Sequence, residues 1–188
     1  MEAGTLPTRA DAVRNRERVV AAAVALFAER GIEASVPEVA ARAGVGKATV
    51  YRSFPTKGDL IAAVVLDWLG AFERRARDQL DAPDAWVALR DLLAESAFKQ
   101  SADHTLSCAL AADVASELLG EARRRMWGAV QELMDRAKAQ GTMRADATAA
   151  DLRVLWAGSA RMLAADGVQD PAEWRRYAGL VLDALRPA

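Results

Sequence analysis

A group of cationic and hydroxyl side chains lies close together in a segment that can form one short helix. Its members are Lys47, Ala48, Thr49, Tyr51 and Arg52. Ammonium and guanidinium groups bind phosphate or the edge of guanine, hydroxyl groups bind phosphate oxygens, and small methyl-bearing side chains contact thymine. Val50 and Phe54, four residues apart, would face the opposite side of the helix. The pattern predicts a helix that enters the major groove of double-stranded DNA.

A second short helix is predicted directly before this one. Ser35 and Glu38 have the spacing of a capping box, Pro37 fits the first turn, and Gly44 ends the helix. Pro55 then ends the helix that follows. Two short helices joined by a glycine-containing turn are typical of a helix-turn-helix motif.

Longer helices are predicted on both sides of this motif. The first begins at Asp11 as its N-cap and ends at Gly31, and the second begins at Thr56 as its N-cap and ends near Leu80. Residues 1–10 have no apolar period, so we expect a flexible arm there.

Charge is unevenly distributed along the chain. The segment from Arg9 to Lys57 has nine basic and five acidic residues, a formal charge of +4, whereas the whole chain carries −1 and the remainder therefore −5. This division suits a phosphate-binding module joined to an acidic body. We expect Arg9, Arg14, Arg16 and Arg18 to add phosphate or minor-groove contacts.

The segment from Ser35 to Leu60 resembles the signature of the tetracycline-repressor (TetR) family. Its sequence is SVPEVAARAGVGKATVYRSFPTKGDL, and the helix before it ends in LFAERG. The predicted DNA-binding residues are Arg14, Arg18, Ser35, Val45, Gly46, Lys47, Ala48, Thr49, Tyr51, Arg52 and Lys57.

The resemblance assigns roles within this set and also shows two departures. It implies that Thr49, Tyr51 and Lys57 approach DNA phosphates. It places three further residues at base or phosphate contacts: Lys47, Ala48 and Arg52. Gly46 stands where the family usually has a serine or threonine cap, and Ser53 where it usually has histidine or tyrosine. The first departure weakens a helix cap by a few tenths of a kcal/mol, and the second removes a potential phosphate contact.

The remainder of the chain is also predicted to be helical, since no stretch alternates apolar and polar residues over the length of a strand. Helices are expected at about 84–101, 105–117, 121–140, 147–165 and 171–186, with Gly120 as one of the breaks. The fold class is therefore all-α, with about nine helices. We predict a helix-turn-helix DNA-binding domain at 1–56 and a helical effector-binding and dimerisation domain at 57–188.

The last two helices each carry an apolar face, and the resemblance implies that they form a homodimer interface. The predicted interface residues are Leu152, Leu155, Ser159, Met162, Leu163, Trp174, Tyr177, Val181 and Leu185. Four helices from two subunits could pack together. The alternative is that these faces complete the core of one subunit.

The resemblance also implies a small-molecule site in the helical body. Its candidate lining residues are Trp68, Phe72, Trp86, Leu89, Leu93, Phe98, His104, Cys108, Leu110, Trp127, Met134 and Trp156. Few charges interrupt these faces, which favours an uncharged or aromatic effector over a polyanion. The run Arg123–Arg125 is expected to face solvent.

Other function classes find little support. His104 and Cys108 supply at most half of a tetrahedral metal site, so we predict no metal and no cofactor. With a single histidine and no glycine-rich phosphate loop, we predict no enzyme activity. The longest apolar stretch is about half of what a bilayer crossing needs, and no secretory start is visible, which predicts a cytoplasmic protein.

These observations predict a dimeric transcriptional regulator, a repressor that binds a palindromic operator and is released by a small, mostly apolar effector. Its partners would be double-stranded DNA, a second copy of the chain and the effector. The alternative is a helical protein–protein adaptor with a vestigial DNA-binding head.

Overall fold

The computed structural model describes residues 9–111 and 117–187, apart from the side chains of Ile32, His104, Thr105, Cys108 and Ala111. Within these residues it contains nine α-helices, one short 3-10 helix and no strand. The prediction of an all-α fold with about nine helices is confirmed.

The chain divides into two compact units, and the boundary between Val64 and Val65 lies inside one long helix. The first unit contains α1 (Arg9–Arg30), the 3-10 helix (Gly31–Glu33), α2 (Val36–Ala43), α3 (Lys47–Ser53) and the start of α4 (Lys57–Asp78). The second contains the rest of α4 and α5 (Ala85–Ala102), α6 (His104–Ala111), α7 (Glu117–Ala139), α8 (Ala149–Ala165) and α9 (Pro171–Asp183). The functional boundary at residues 56 and 57 stays a prediction.

One apolar cluster holds the helices of the first unit together. Its largest fully buried members come from every α-helix of the unit and from Phe54, which directly follows α3: Val19, Phe27, Val39, Val50, Phe54 and Leu60. Each is spaced so that its helix turns one face inward. The guanidinium of Arg16 lies 4.5 Å from the centre of the Phe54 ring, which adds a cation–π contact at the edge of this cluster.

The ends of α2 follow the predicted signals. Glu38 accepts hydrogen bonds from the backbone N–H and the hydroxyl of Ser35, at 2.8 and 2.7 Å. At the other end Gly44 is left-handed, with φ +65°. The N–H of Val45 then donates to the carbonyl of Ala40 at 3.0 Å, so the chain turns sharply toward α3.

The second unit has its own core, built mainly where α5, α7, α8 and α9 pack together. Its largest fully buried side chains include Leu89, Leu133, Met134, Leu152 and Trp174. Arg136 donates to the carbonyls of Leu80 and Ala82, which ties the segment after α4 to α7. Trp156 meets Trp174 edge to face, with ring centres 6.2 Å apart.

Several predicted boundaries were wrong. Helix α1 begins at Arg9, so Asp11 lies in its first turn and pairs with Arg14 at 2.5 Å instead of capping it. Gly120 lies inside α7, because packing of the helix outweighs the modest cost of one internal glycine. The 3-10 turn that starts at Gly31 was not predicted. Residues 1–8 of the predicted arm lie outside the described residues.

Replacing Gly44 with alanine should destabilise the first unit. A Cβ at φ +65° is strained and would lie 2.9 Å from the Arg18 guanidinium. We expect Gly44→Ala to lower the free energy of unfolding by about 1 kcal/mol, measured by urea denaturation with far-UV circular dichroism. The control is Gly58→Ala, whose Cβ would make only an ordinary contact of 3.5 Å. Equal stability of the two variants would contradict this account of the turn.

Candidate nucleic-acid interface and ligand cavity

Helix α3 is anchored on one side and exposed on the other. Val50 is 0% exposed and Phe54, which follows the helix, is 2% exposed, so both belong to the core of the first unit. The remaining surface of α3 carries the residues predicted to contact DNA: Lys47, Ala48, Tyr51 and Arg52 are exposed, and Thr49 is half-buried. This arrangement leaves two cations and two hydroxyl groups on one accessible helix surface.

A hydrogen bond joins two of these residues. Arg52 Nη2 donates to Thr49 Oγ1 at 3.3 Å, one turn earlier in the helix. Tyr51 is 46% exposed. Gly46, at the N-cap, contributes no side-chain cap, and its carbonyl instead accepts from the N–H of Thr49 at 2.9 Å.

Other basic residues of this unit hold its helices together. Arg42 makes two hydrogen bonds with Glu29 of α1, at 2.5 and 2.6 Å, and these bonds lower the pKa of the Glu29 carboxyl. Arg30 reaches Glu38 of α2 at 2.6 Å. The pKa of Glu38 is lowered mainly by the backbone N–H of Ser35, then by its hydroxyl.

Some of the predicted DNA-binding residues also make contacts within the unit. Arg18 donates to the carbonyl of Ala43 at 2.6 Å, close to the turn at Gly44. The hydroxyl of Ser35 is used by Glu38, and Val45 packs against the apolar cluster. The capping role of Ser35 was predicted, whereas the contact of Arg18 was not, since the sequence cannot show which helix end lies beside that residue.

The first turn of α4 completes this surface. Thr56 donates from its N–H and its hydroxyl to Asp59, at 2.9 and 2.7 Å, and the N–H of Asp59 donates back to that hydroxyl at 3.1 Å. Thr56 therefore caps the helix, as predicted. Lys57 is the first residue of α4 and is half-buried.

The second unit contains a partly open cavity of about 220 Å³, which we call the central cavity. Four predicted effector-site residues line it: Trp68, Leu110, Trp127 and Trp156. A smaller apolar pocket of about 30 Å³ shares three of these aromatic residues. Its lining also includes the predicted Phe72, Leu89 and Leu93.

The other predicted effector-site residues lie elsewhere. Trp86 is buried beneath the Arg186 guanidinium, which lies 4.1 Å from a ring centre. Met134 is fully buried in the core, and Phe98 is 54% exposed on α5. None of these three lines either pocket. The side chains of His104 and Cys108 lie outside the described residues.

Three arginines line the central cavity and were not predicted to do so. They are Arg123, Arg153 and Arg161, and the neutral polar side chains of Gln100 and Ser107 lie there with them. The expectation that the whole run Arg123–Arg125 faces solvent was wrong for Arg123. Arg153 and Arg161 are eight residues apart on α8, a spacing that puts them on one face and could have drawn attention to them.

The predicted dimer residues divide into two groups. Five are buried in the core of the second unit, and their place at an interface stays a prediction: Leu152, Leu163, Trp174, Val181 and Leu185. Tyr177 and Ser159 are half-buried, whereas Leu155 and Met162 are 39% and 59% exposed. Two residues missed by the prediction, Val154 and Leu180, are also exposed, at 64% and 51%. We call Val154, Leu155, Met162 and Leu180 the exposed apolar set.

The part of the chain that the structure describes contains neither a candidate membrane span nor a candidate metal site. No helix there has the length and apolar character needed to cross a membrane. No group of three or more histidine, cysteine or carboxylate side chains there is arranged to hold a metal ion.

Comparisons with known proteins assign both halves of the chain. The family described as bacterial regulatory proteins, tetR family, matches residues 19–64, and the SbtR-like transcriptional regulator C-terminal domain matches residues 82–187. An HTH-type transcriptional regulator of Staphylococcus aureus is 40% identical over 65 residues. That match covers 34% of this chain and 35% of the length of the relative.

Solved structures extend the similarity over nearly the whole chain. A TetR transcriptional regulator of Streptomyces coelicolor is 34% identical, with a TM-score of 0.68 over 92% of this chain and 99% of that one. A TetR transcription regulatory protein of Mycobacterium vanbaalenii is 32% identical, with a TM-score of 0.65 over 95% and 99%. The resemblance drawn from the sequence is confirmed, and the chain belongs to the TetR family of DNA-binding transcriptional regulators.

Proposed function

We propose that this TetR-family regulator is a homodimeric repressor that inserts α3 of each subunit into a major groove and is released from its operator by a small ligand. One observation carries the proposal: α3 exposes Lys47, Tyr51 and Arg52 while Val50 fixes it to the core. Because the backbone of this helix is already ordered, binding to base edges costs less conformational entropy than it would for a flexible segment. Membership of this family also agrees with the prediction that the chain is not an enzyme.

The proposed contacts divide between positioning and recognition. Thr49, Tyr51 and Lys57 would bind phosphates and fix the register of α3 on the duplex. Lys47 and Arg52 would reach base edges or nearby phosphates. Three further cations of α1 would strengthen binding without adding sequence preference: Arg9, Arg14 and Arg16.

Dimerisation is supported by the exposed apolar set. Its four members lie on α8 and α9, and large apolar side chains grouped on a surface mark an interaction site. Gly158 lies between Leu155 and Met162 on α8, and a Cβ built there meets no other atom within 4 Å. A partner helix can approach closely at such a point. The two-fold symmetry of a dimer would match a palindromic operator.

Ligand response is supported by the continuity of α4. This helix begins with Lys57, and eleven residues later its Trp68 lines the central cavity. A ligand that displaces Trp68 would therefore act on the same helix to which Lys57 belongs. To release DNA, the ligand must bind the DNA-free conformation more tightly, and a coupling of about 1–3 kcal/mol gives roughly 5- to 150-fold release.

A second candidate function is a protein–protein adaptor with a vestigial DNA-binding head. The exposed apolar set would then bind a different protein. This candidate predicts weak DNA binding with little sequence preference, which separates it from the repressor.

Loss of the Lys57 ammonium should weaken binding to all DNA sequences alike. Each phosphate contact contributes about 0.9 to the slope of log affinity against log salt, so Lys57→Ala should reduce the slope of a dimer by about 1.8. Fluorescence anisotropy of labelled duplexes at several salt concentrations measures this. Arg175→Ala, which removes an exposed cation from α9, is the control and should bind as the wild type does. A wild-type slope for Lys57→Ala would contradict the assignment.

Charges placed in the exposed apolar set should dissociate the dimer. Met162→Glu or Leu180→Glu would bury an unpaired carboxylate at the interface, so we expect the dimer dissociation constant to rise at least about tenfold. Sedimentation velocity measures this constant. Val13→Glu alters a side chain that is similarly exposed, at 51%, but lies on α1, and it should leave the dimer intact. If Met162→Glu and Leu180→Glu stay dimeric at wild-type concentrations, the interface lies elsewhere.

A further inference from the structure

We infer that the central cavity binds a small organic anion whose apolar, planar body stacks among tryptophans and whose carboxylate or phosphate meets the arginines of α8. This inference rests on the proposed function, because it names the chemical class of the releasing ligand. It also differs from the expectation drawn from the sequence, which favoured an uncharged effector.

The apolar part of the cavity is built for a flat, compact group. Trp68, Trp127, Trp156 and Met126 contribute to its walls, and Trp156 is only 5% exposed. Aromatic rings prefer offset or edge-to-face contacts with other rings, and methionine adapts to irregular gaps between them. The volume of about 220 Å³ is below the roughly 300–1,000 Å³ of most small-molecule sites. The ligand body is therefore limited to about one or two rings or a short chain.

All charged side chains that line the cavity among the described residues are arginines, so the charge there is positive. Arg153 and Arg161 lie eight residues apart on α8, and the side chains of Ala157 and Ala160 line the cavity between them. Among the described residues that line the cavity there is no carboxylate to neutralise them. A guanidinium group offers paired N–H donors that match the oxygens of a carboxylate or phosphate. Two such groups of the same sign raise the local concentration of anions at this surface.

Several arginines of the neighbouring helices are paired with glutamates. Arg125 on α7 pairs with Glu73 and Glu121, and Arg75 and Arg77 on α4 also pair with glutamates. Within the described residues, by contrast, Arg153 and Arg161 make no ion pair and no side-chain hydrogen bond. Arg123 also lines the cavity, but it already makes an interaction within the chain, so the inference does not depend on it.

The difference in exposure between the arginines and the tryptophans of the cavity indicates how the ligand would be oriented. Arg153 and Arg161 are exposed, whereas Trp156 on the same helix is buried. An amphipathic anion would therefore keep its charged end beside the arginines and its ring against the tryptophans. The amide of Gln100 donates one N–H to Ser96 at 2.9 Å and has a second N–H that can donate to the oxygens of the anion.

Two probes of nearly equal shape test the requirement for charge: indole-3-acetate and indole-3-acetamide. Isothermal titration calorimetry on the full chain should show indole-3-acetate binding about tenfold more tightly at low salt, the equivalent of one charge-assisted hydrogen bond. The difference between the two affinities should narrow as the salt concentration is raised.

Arg153→Gln and Arg161→Gln should each weaken the binding of indole-3-acetate about fivefold and leave the binding of indole-3-acetamide unchanged. Arg124→Gln removes an exposed arginine of α7 that does not line the cavity, and it should change neither affinity.

Equal affinities for the two probes, a loss of both in the arginine variants, or no binding of either probe would overturn the inference. Operator binding by the same samples, followed by fluorescence anisotropy, separates this failure from a failure of the proposed function. If sequence-specific DNA binding persists while the probes do not discriminate, only the ligand class is wrong. If sequence-specific DNA binding is absent, the proposed repressor function is wrong, whatever the affinities for the two probes.

Discussion

The burial of Val50 and Phe54 in the first unit is the constraint on which the proposed DNA recognition depends. These two side chains fix the rotation of α3 about its axis, and that rotation decides which residues remain outside. With Val50 fully buried, Tyr51 and Arg52 have no place in the core and stay exposed. The same burial requires a sharp turn between α2 and α3, which is why a left-handed glycine stands at position 44.

Arginine has two physical uses in this chain, although its residues look alike in the sequence. Several arginines of the first unit tie helices together, such as Arg42 with Glu29 and Arg18 with the end of α2. In the second unit Arg153 and Arg161 lie at the central cavity without an ionic partner among the described residues. An unpaired cation beside an apolar wall favours an anionic ligand, whereas a paired one contributes mainly to geometry.

Local signals in the sequence were sufficient for the approximate number of helices and for the helix-turn-helix, but not for every helix boundary. The capping pair Ser35 and Glu38, the turn glycine and the inward-facing Val50 and Phe54 each depend on residues close by in the sequence. The dimer and cavity residues depend on which helices meet, and periodicity shows only which residues share a face. Leu152 and Leu155 are both apolar residues of α8, yet Leu152 is buried in the core and Leu155 is exposed. Arg123 was misplaced for the same reason, because nothing near it in sequence shows that α7 borders a cavity.

Selection of bound duplexes from a random-sequence pool tests most directly whether α3 recognises DNA. If two copies of α3 are presented by a symmetric dimer, the enriched duplexes contain an inverted repeat whose half-site centres lie about 10–10.5 base pairs apart or a multiple of that spacing. Recovery of unrelated sequences, or of a half-site that is never repeated, would contradict the account.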